Sequence, residues 1–130
     1  MKRQTIRIPD YGWTVHVYYN TTPYDRKELV RVIKKFGGSV ESQRGVYDNM
    51  SHWHPNNAFT YSNGMLRVSV MSLGWASSFA QFINSFSHEL HHLSVHIAQH
   101  NNLPFDGEEI AYLAGDMAQM MYPILIEYLI

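Results

Sequence analysis

Residues 77–100 read SSFAQFINSFSHELHHLSVHIAQH. From about Ser77 onward the apolar residues Phe79, Phe82, Ile83, Phe86, Leu90, Leu93, Val95 and Ile97 recur at helical spacing, and Asn101-Asn102-Leu103-Pro104 breaks the pattern. Inside this helix stands His88-Glu89-Leu90-His91-His92, an H-E-x-x-H array. Positions i and i+4 lie one turn apart on one face, so His88 and His92 can each aim a ring nitrogen at one metal ion about 2.0–2.1 Å away. Glu89 lies one residue round the helix, placed to meet a water on that metal rather than the metal itself. Zinc lowers the pKa of such a water to about 7, and an adjacent carboxylate can take its proton during attack on a carbonyl. With eight His and six Glu in 130 residues, chance produces the array in roughly one such chain in fifty.

The neighbouring histidines do not extend the set. His92 and His96 repeat the spacing, but Leu93 follows His92 and offers no base. His88, His92 and His96 cannot share one ion, because eight residues of helix separate the ends by about 12 Å. A longer pattern with Gly at position 95 and His at 98 is not met, since the chain has Val95 and Ala98. A third ligand therefore comes from elsewhere, and the following helix offers Glu108, Glu109 and Asp116. Residues 101–107 can span roughly 23 Å, enough to return any of the three, so geometry alone leaves all of them open.

Outward from this helix, residues 5–8 (TIRI) and 14–19 (TVHVYY) alternate around Pro9-Asp10-Tyr11-Gly12 and predict a β-hairpin. Thr22-Pro23-Tyr24-Asp25 reads as a helix start, Leu29, Val30, Ile33 and Phe36 as its apolar stripe, and Gly37-Gly38 as its stop. Residues 45–48 (GVYD) read as a short strand. Residues 58–62 and 65–71 flank Asn63-Gly64, a strong hairpin signal. Asp106 with Glu109 three positions on reads as a capping box opening a last helix, interrupted at Pro123. The sum is an α+β fold in one domain over residues 1–130.

Composition bounds the function. The 130 residues are 45% hydrophobic and 16% charged, which excludes disorder, and the absence of cysteine excludes a disulfide scaffold, a thiolate metal site and a cysteine nucleophile. No stretch reaches the roughly 20 apolar residues needed to span a bilayer, and no apolar run follows the basic start; the expectation is a soluble, cytoplasmic chain without a membrane partner. Charge is segregated. All ten Lys and Arg lie at or before Arg67, with five acids, for a net +5; residues 68–130 hold six acids and no Lys or Arg, for −6. Five of the eight histidines fall between positions 88 and 100 of that acidic half, the donor set that a divalent cation favours.

His88-Glu89-Leu90-His91-His92, followed by Glu108-Glu109-Ile110-Ala111-Tyr112-Leu113-Ala114-Gly115, resembles the small zincin-like metallopeptidases of phages and mobile elements, whose pattern is H-E-x-x-H and then E-x-x-A-Y-L-x-G. It is similar, more distantly, to the minigluzincins and the ImmA/IrrE metallopeptidases, which carry E-x-x-A-N. The resemblance covers roughly residues 79–118. It implies a zincin-like fold, a small twisted sheet packed on the H-E-x-x-H helix and closed by a glutamate-bearing helix. It also implies a Zn2+ cofactor, Glu108 as third ligand beside His88 and His92, and a peptide or protein substrate. Tyr112 stands where the related families have Asn, either to stabilise an oxyanion or to pack. An edge strand lining the substrate cleft would fall on residues 65–71.

The expected activity is therefore zinc-dependent hydrolysis of a peptide bond with Glu89 as general base. A non-catalytic zinc-bound interaction or regulatory module of a mobile element is the alternative. A nucleic-acid-binding protein using the basic N-terminal half is a third reading, although the set Arg26, Lys27, Arg31, Lys34 and Lys35 more simply forms a solvated helix face and nucleic acid is not the expected partner. His52-Trp53-His54 reads as a loop with aromatic contacts at the rim of the cleft. Asp116 would orient a ligand histidine or sit on the helix surface. The apolar C-terminus, with Met120, Met121, Ile124 and Ile130, would fill the core or make a homo-oligomer interface.

Overall fold

In the computed structural model, which describes residues 1–128, the chain opens with the expected hairpin: β1 (Lys2–Ile8) pairs antiparallel with β2 (Trp13–Thr21), from Lys2 opposite Tyr19 to Ile8 opposite Trp13. Thr22 then caps a 3-10 turn at Pro23–Asp25, accepting from the Tyr24 amide while the Asp25 carboxylate accepts from the Thr22 amide. This reciprocal cap leads into α1 (Arg26–Lys35), which ends before Gly37, a residue with φ of 82°. Gly37-Gly38 thus stops the helix as the sequence indicates.

The segment read as a strand at residues 45–48 is instead the middle of a second helix, α2 (Val40–Met50). The Ser39 hydroxyl caps it by accepting from the Ser42 amide at 3.0 Å. Val46 and Met50, four apart, supply its buried face, and Gly45 has nothing within 4 Å of a notional Cβ, so the helix pays only the small glycine penalty on an open side.

β3 (Ala58–Asn63) and β4 (Val68–Gly74) pair antiparallel, but the turn is longer than an Asn-Gly hairpin, with Asn63 opposite Val68. The Asn63 side chain accepts from the amides of Met65 and Leu66 and so closes the wider loop itself. β4 also pairs in parallel with β2, giving the order β1-β2-β4-β3 in one twisted sheet. The edge strand beside the H-E-x-x-H helix is therefore β3. Residues 65–71, expected at the edge, run from the loop into a strand flanked on both sides.

α3 (Phe79–His100) follows, with the Ser78 hydroxyl accepting from the Gln81 amide, and then α4 (Glu108–Leu125). The cap of α4 is Gly107 with no side-chain hydrogen bond, so the Asp106 capping box does not form. Pro123 falls inside the last turn, and the helix gives way to a 3-10 turn at Ile126–Tyr128. No helix among the described residues is long and apolar enough to cross a membrane.

The sheet is the middle of three layers. Toward α3 and α4 it buries Trp13, Val15, Val17, Tyr19, Met71 and Leu73 against Phe82, Phe86, Leu93, Ile97, Leu113, Met117 and Met121. Toward α1 and α2 a smaller core joins Tyr18 and Val70 to Leu29, Ile33, Val46 and Met50. Met121 is fully buried, and the partly buried Met120 and Ile124 pack on the larger core; Ile130 lies outside the described residues.

Candidate functional site

α3 has three kinds of surface. Its buried stripe faces the sheet, and α4 closes on it along Ser87, Leu90, His91 and Ser94, opposite Ile110, Ala111 and Ala114. β3 meets it through Thr60 and Ser62, which reach Glu89 and His96. At about 100° per residue, His88 and His92 fall on the exposed strip between the β3 side and the α4 side.

The two imidazoles converge. Their rings are 4.7 Å apart at 74°, and Nε2 of His88 stands 3.1 Å from Nε2 of His92. Two nitrogens each about 2.05 Å from one tetrahedral ion lie about 3.3 Å apart, so the pair has the spacing of two ligands to one metal. Glu89 is the buried member, 6% exposed. The Thr60 hydroxyl donates to its Oε1 at 2.7 Å, and its Oε2 lies 4.0 Å from His88 Nε2. Beside these groups opens a cavity of about 330 Å3, lined by Asn49, Asn57, Ala58, Asn84, His88 and Glu89 among others.

One turn on, His96 is held differently. Its Nδ1 lies 2.7 Å from the Ser62 hydroxyl, which lies 2.7 Å from that of Ser69, which in turn accepts from the Trp13 indole at 2.9 Å. Ser69 is fully buried, and indole can only donate. The Ser69 proton therefore goes to Ser62, and the Ser62 proton to His96 Nδ1. That assigns a neutral His96 with its proton on Nε2. Burial, and then the charge of His92, also push the His96 pKa down.

The acids of α4 stand apart. Glu108, Glu109 and Asp116 are exposed, as is Tyr112, at 68%. Among the described residues no three His, Asp or Glu side chains are arranged to hold a metal ion. The structure thus brings His88, His92 and Glu89 together and leaves Glu108, and equally Glu109 and Asp116, outside the group. His91 faces the α4 groove rather than the pair. His52 and His54 sit 6.1 Å apart in the loop before β3, where Trp53 packs edge-on against Tyr24; Asn56 and Asn57 of that loop, not the histidines, line the cavity.

Sequence reasoning missed Thr60, Ser62 and Ser69. The signal was present in β3, which alternates Ala58, Thr60 and Ser62 with Phe59 and Tyr61. The aromatic positions pack on the α1–α2 core, so the hydroxyl positions turn to α3. No family model, curated protein or solved structure matches the chain.

Proposed function

We propose that the protein is a zinc-dependent peptide hydrolase. The observation that carries this reading is Glu89, a buried carboxylate whose free oxygen faces the converging His88 and His92 pair, on a helix layer whose two helices contain no Lys or Arg. Burying a carboxylate is costly unless it is paired, and one threonine hydroxyl is a weak counterpart to a negative charge. A cation held by His88 and His92 offsets that cost.

His88 and His92 would hold the zinc. Glu108 is the third ligand that the family resemblance implies. Zinc bound there supplies a water acidic near neutral pH and a Lewis acid for a carbonyl. Glu89 would serve as the proton acceptor and then the proton donor through Oε2, with Thr60 holding Oε1 in place. An extended peptide would lie along β3, whose outer edge has no strand partner among the described residues and whose Thr60 adjoins Glu89.

One observation favours a second reading, a zinc-bound interaction module without catalysis: three donors are not gathered at the pair. Elemental analysis of purified protein and of Glu108→Ala, followed by a mixed-peptide cleavage assay of wild type and Glu89→Gln, separates the two. Hydrolysis predicts about one zinc per chain, less in Glu108→Ala, and cleavage lost in Glu89→Gln. Zinc without cleavage of any peptide leaves the module. Protein that takes up no zinc at neutral pH ends both.

A further inference from the structure

The sheet face turned toward α1 is covered only in part. α1 and α2 pack on Tyr18 and Val70. Beyond the end of α1 the strands leave a cavity of about 480 Å3 whose walls include Arg7, Thr14, His16, Phe36, Leu66 and Arg67, and no acidic side chain lines it.

Two arginines border this cavity, and neither has an acidic partner among the described residues. Lys2 pairs with Glu127 and Arg3 with Glu28. Arg26 lies over the Tyr47 ring and donates to the Pro23 carbonyl. Arg7, by contrast, has a single long contact, 3.4 Å to the Thr14 hydroxyl, and among the described residues it forms no ion pair. Arg67 is anchored without being neutralised. It donates to the Tyr11 carbonyl at 2.7 Å and, at 3.4 Å, to Asn101. Its backbone is left-handed, with φ of 51°, a conformation disfavoured for a residue with a Cβ, and strain of this kind gathers where a side chain has to be presented.

His16 completes the floor. Its Nδ1 lies 3.3 Å from the Thr5 hydroxyl, and no protein group among the described residues partners its Nε2. Burial, then the charges of Lys35 and Arg7, hold its pKa below the usual histidine value. Two guanidinium forks, an imidazole and a hydroxyl around one concavity match an oxyanion with several terminal oxygens. The remaining walls, Phe36, Leu66 and Val68, are apolar. His16 already stacks on Phe36 at 4.9 Å and Lys35 lies over the same ring at 5.5 Å, so that ring is not an open platform for a nucleic-acid base.

We propose that this pocket binds a phosphomonoester, with Arg7 and Arg67 clamping the dianion and the exposed Leu66 receiving the group that carries it. The site lies on the opposite side of the sheet from His88 and His92 and stands or falls without the hydrolase reading.

The test is a proton–nitrogen NMR titration of the whole protein at fixed ionic strength with phenyl phosphate, inorganic phosphate and a short single-stranded oligonucleotide. Wild type is run beside Arg7→Gln, Arg67→Gln and, as a control for a surface cation outside the pocket, Arg31→Gln. Saturable shifts of His16, Thr14 and Val68 with phenyl phosphate are expected, weakened at least ten-fold in either pocket variant and unchanged in Arg31→Gln. Equal affinity for inorganic phosphate would keep the site and identify the dianion alone as its ligand. Two results would overturn the proposal: no saturable shift up to roughly 10 mM phenyl phosphate, which corresponds to negligible affinity, or binding of the oligonucleotide only. Retention of full affinity in both Arg7→Gln and Arg67→Gln would do the same, and unchanged spectra elsewhere in the variants exclude misfolding as the cause of a loss.

Discussion

The two sides of the sheet are built from the same strands and have opposite electrostatic needs. On the α3–α4 side, a buried carboxylate and a converging imidazole pair sit on helices that contain no Lys or Arg. On the α1 side, Arg7 and Arg67 border a cavity that no carboxylate lines. Each side lacks its counter-charge, and the fold keeps the two apart: Glu89 is not given to an arginine, nor Arg7 to a glutamate. Leaving the buried Glu89 without a cation costs stability, whereas Arg7 and Arg67 are exposed and remain available to an anion from solvent.

The sharpest way to break this contrast is to remove the carboxylate from the cation-free side. Glu89→Gln keeps the size and the Thr60 hydrogen bond but cannot accept a proton. Peptide cleavage should fall by about 10²–10⁴-fold, while zinc content per chain stays at the wild-type level. Loss of zinc together with activity would mean that Glu89 acts as a ligand instead.

A second way is to supply the missing cation from within. Asn84 lines the cavity beside His88 and Glu89. Asn84→Arg places a guanidinium within reach of Glu89 and makes the α3 surface resemble the α1 side. Zinc affinity, measured by competition with a chromophoric chelator, should drop by about 10–100-fold, as for other changes around a metal site. An unchanged affinity would show that the metal, if bound, sits elsewhere.

Thr60 offers a smaller effect. Among the described residues it is the only side chain donating to Glu89, and Thr60→Val leaves a buried carboxylate oxygen without a partner. The expected loss is about 1–3 kcal/mol in urea unfolding at neutral pH. In a Glu89→Leu background the same substitution should cost clearly less, because the group it served is gone. Equal losses in both backgrounds would mean that the hydrogen bond contributes nothing of its own.

What the sequence revealed followed the range of the interactions. The His88–His92 pair was legible because one helical turn places it, and the first hairpin because alternation and Pro9–Tyr11 with Gly12 define it locally. α2 was misread because Val46 and Tyr47 each favour a strand; the Ser39 cap and the Val46–Met50 spacing were the better signals, and burial against Leu29 and Ile33 decided between them. The contacts of Glu89 with Thr60 and of His96 with Ser62 join positions 29 and 34 residues apart, and no periodicity reports them. Where α4 crosses α3 depends on how Leu113, Met117 and Met121 seat in the larger core, so the sequence could offer Glu108 as a ligand but could not place it.

The smallest effect belongs to His16, and it probes the anion-seeking side without any ligand. In the folded chain its pKa lies below the usual value, through burial first and the Lys35 and Arg7 charges second. The unfolded chain returns it to about 6.5. Below that pH the unfolded state binds more protons than the folded one, so stability must rise with pH there. The contribution is complete above about pH 6.5 and is lost as pH falls through the folded pKa. Arg7→Gln removes one of the repelling charges and should make urea midpoints fall less steeply between about pH 7 and pH 5. His96, lowered by its own burial and by His92, contributes with the same sign on the other side of the sheet, so some slope should survive in the variant. A slope identical to wild type would show that Arg7 does not act on His16.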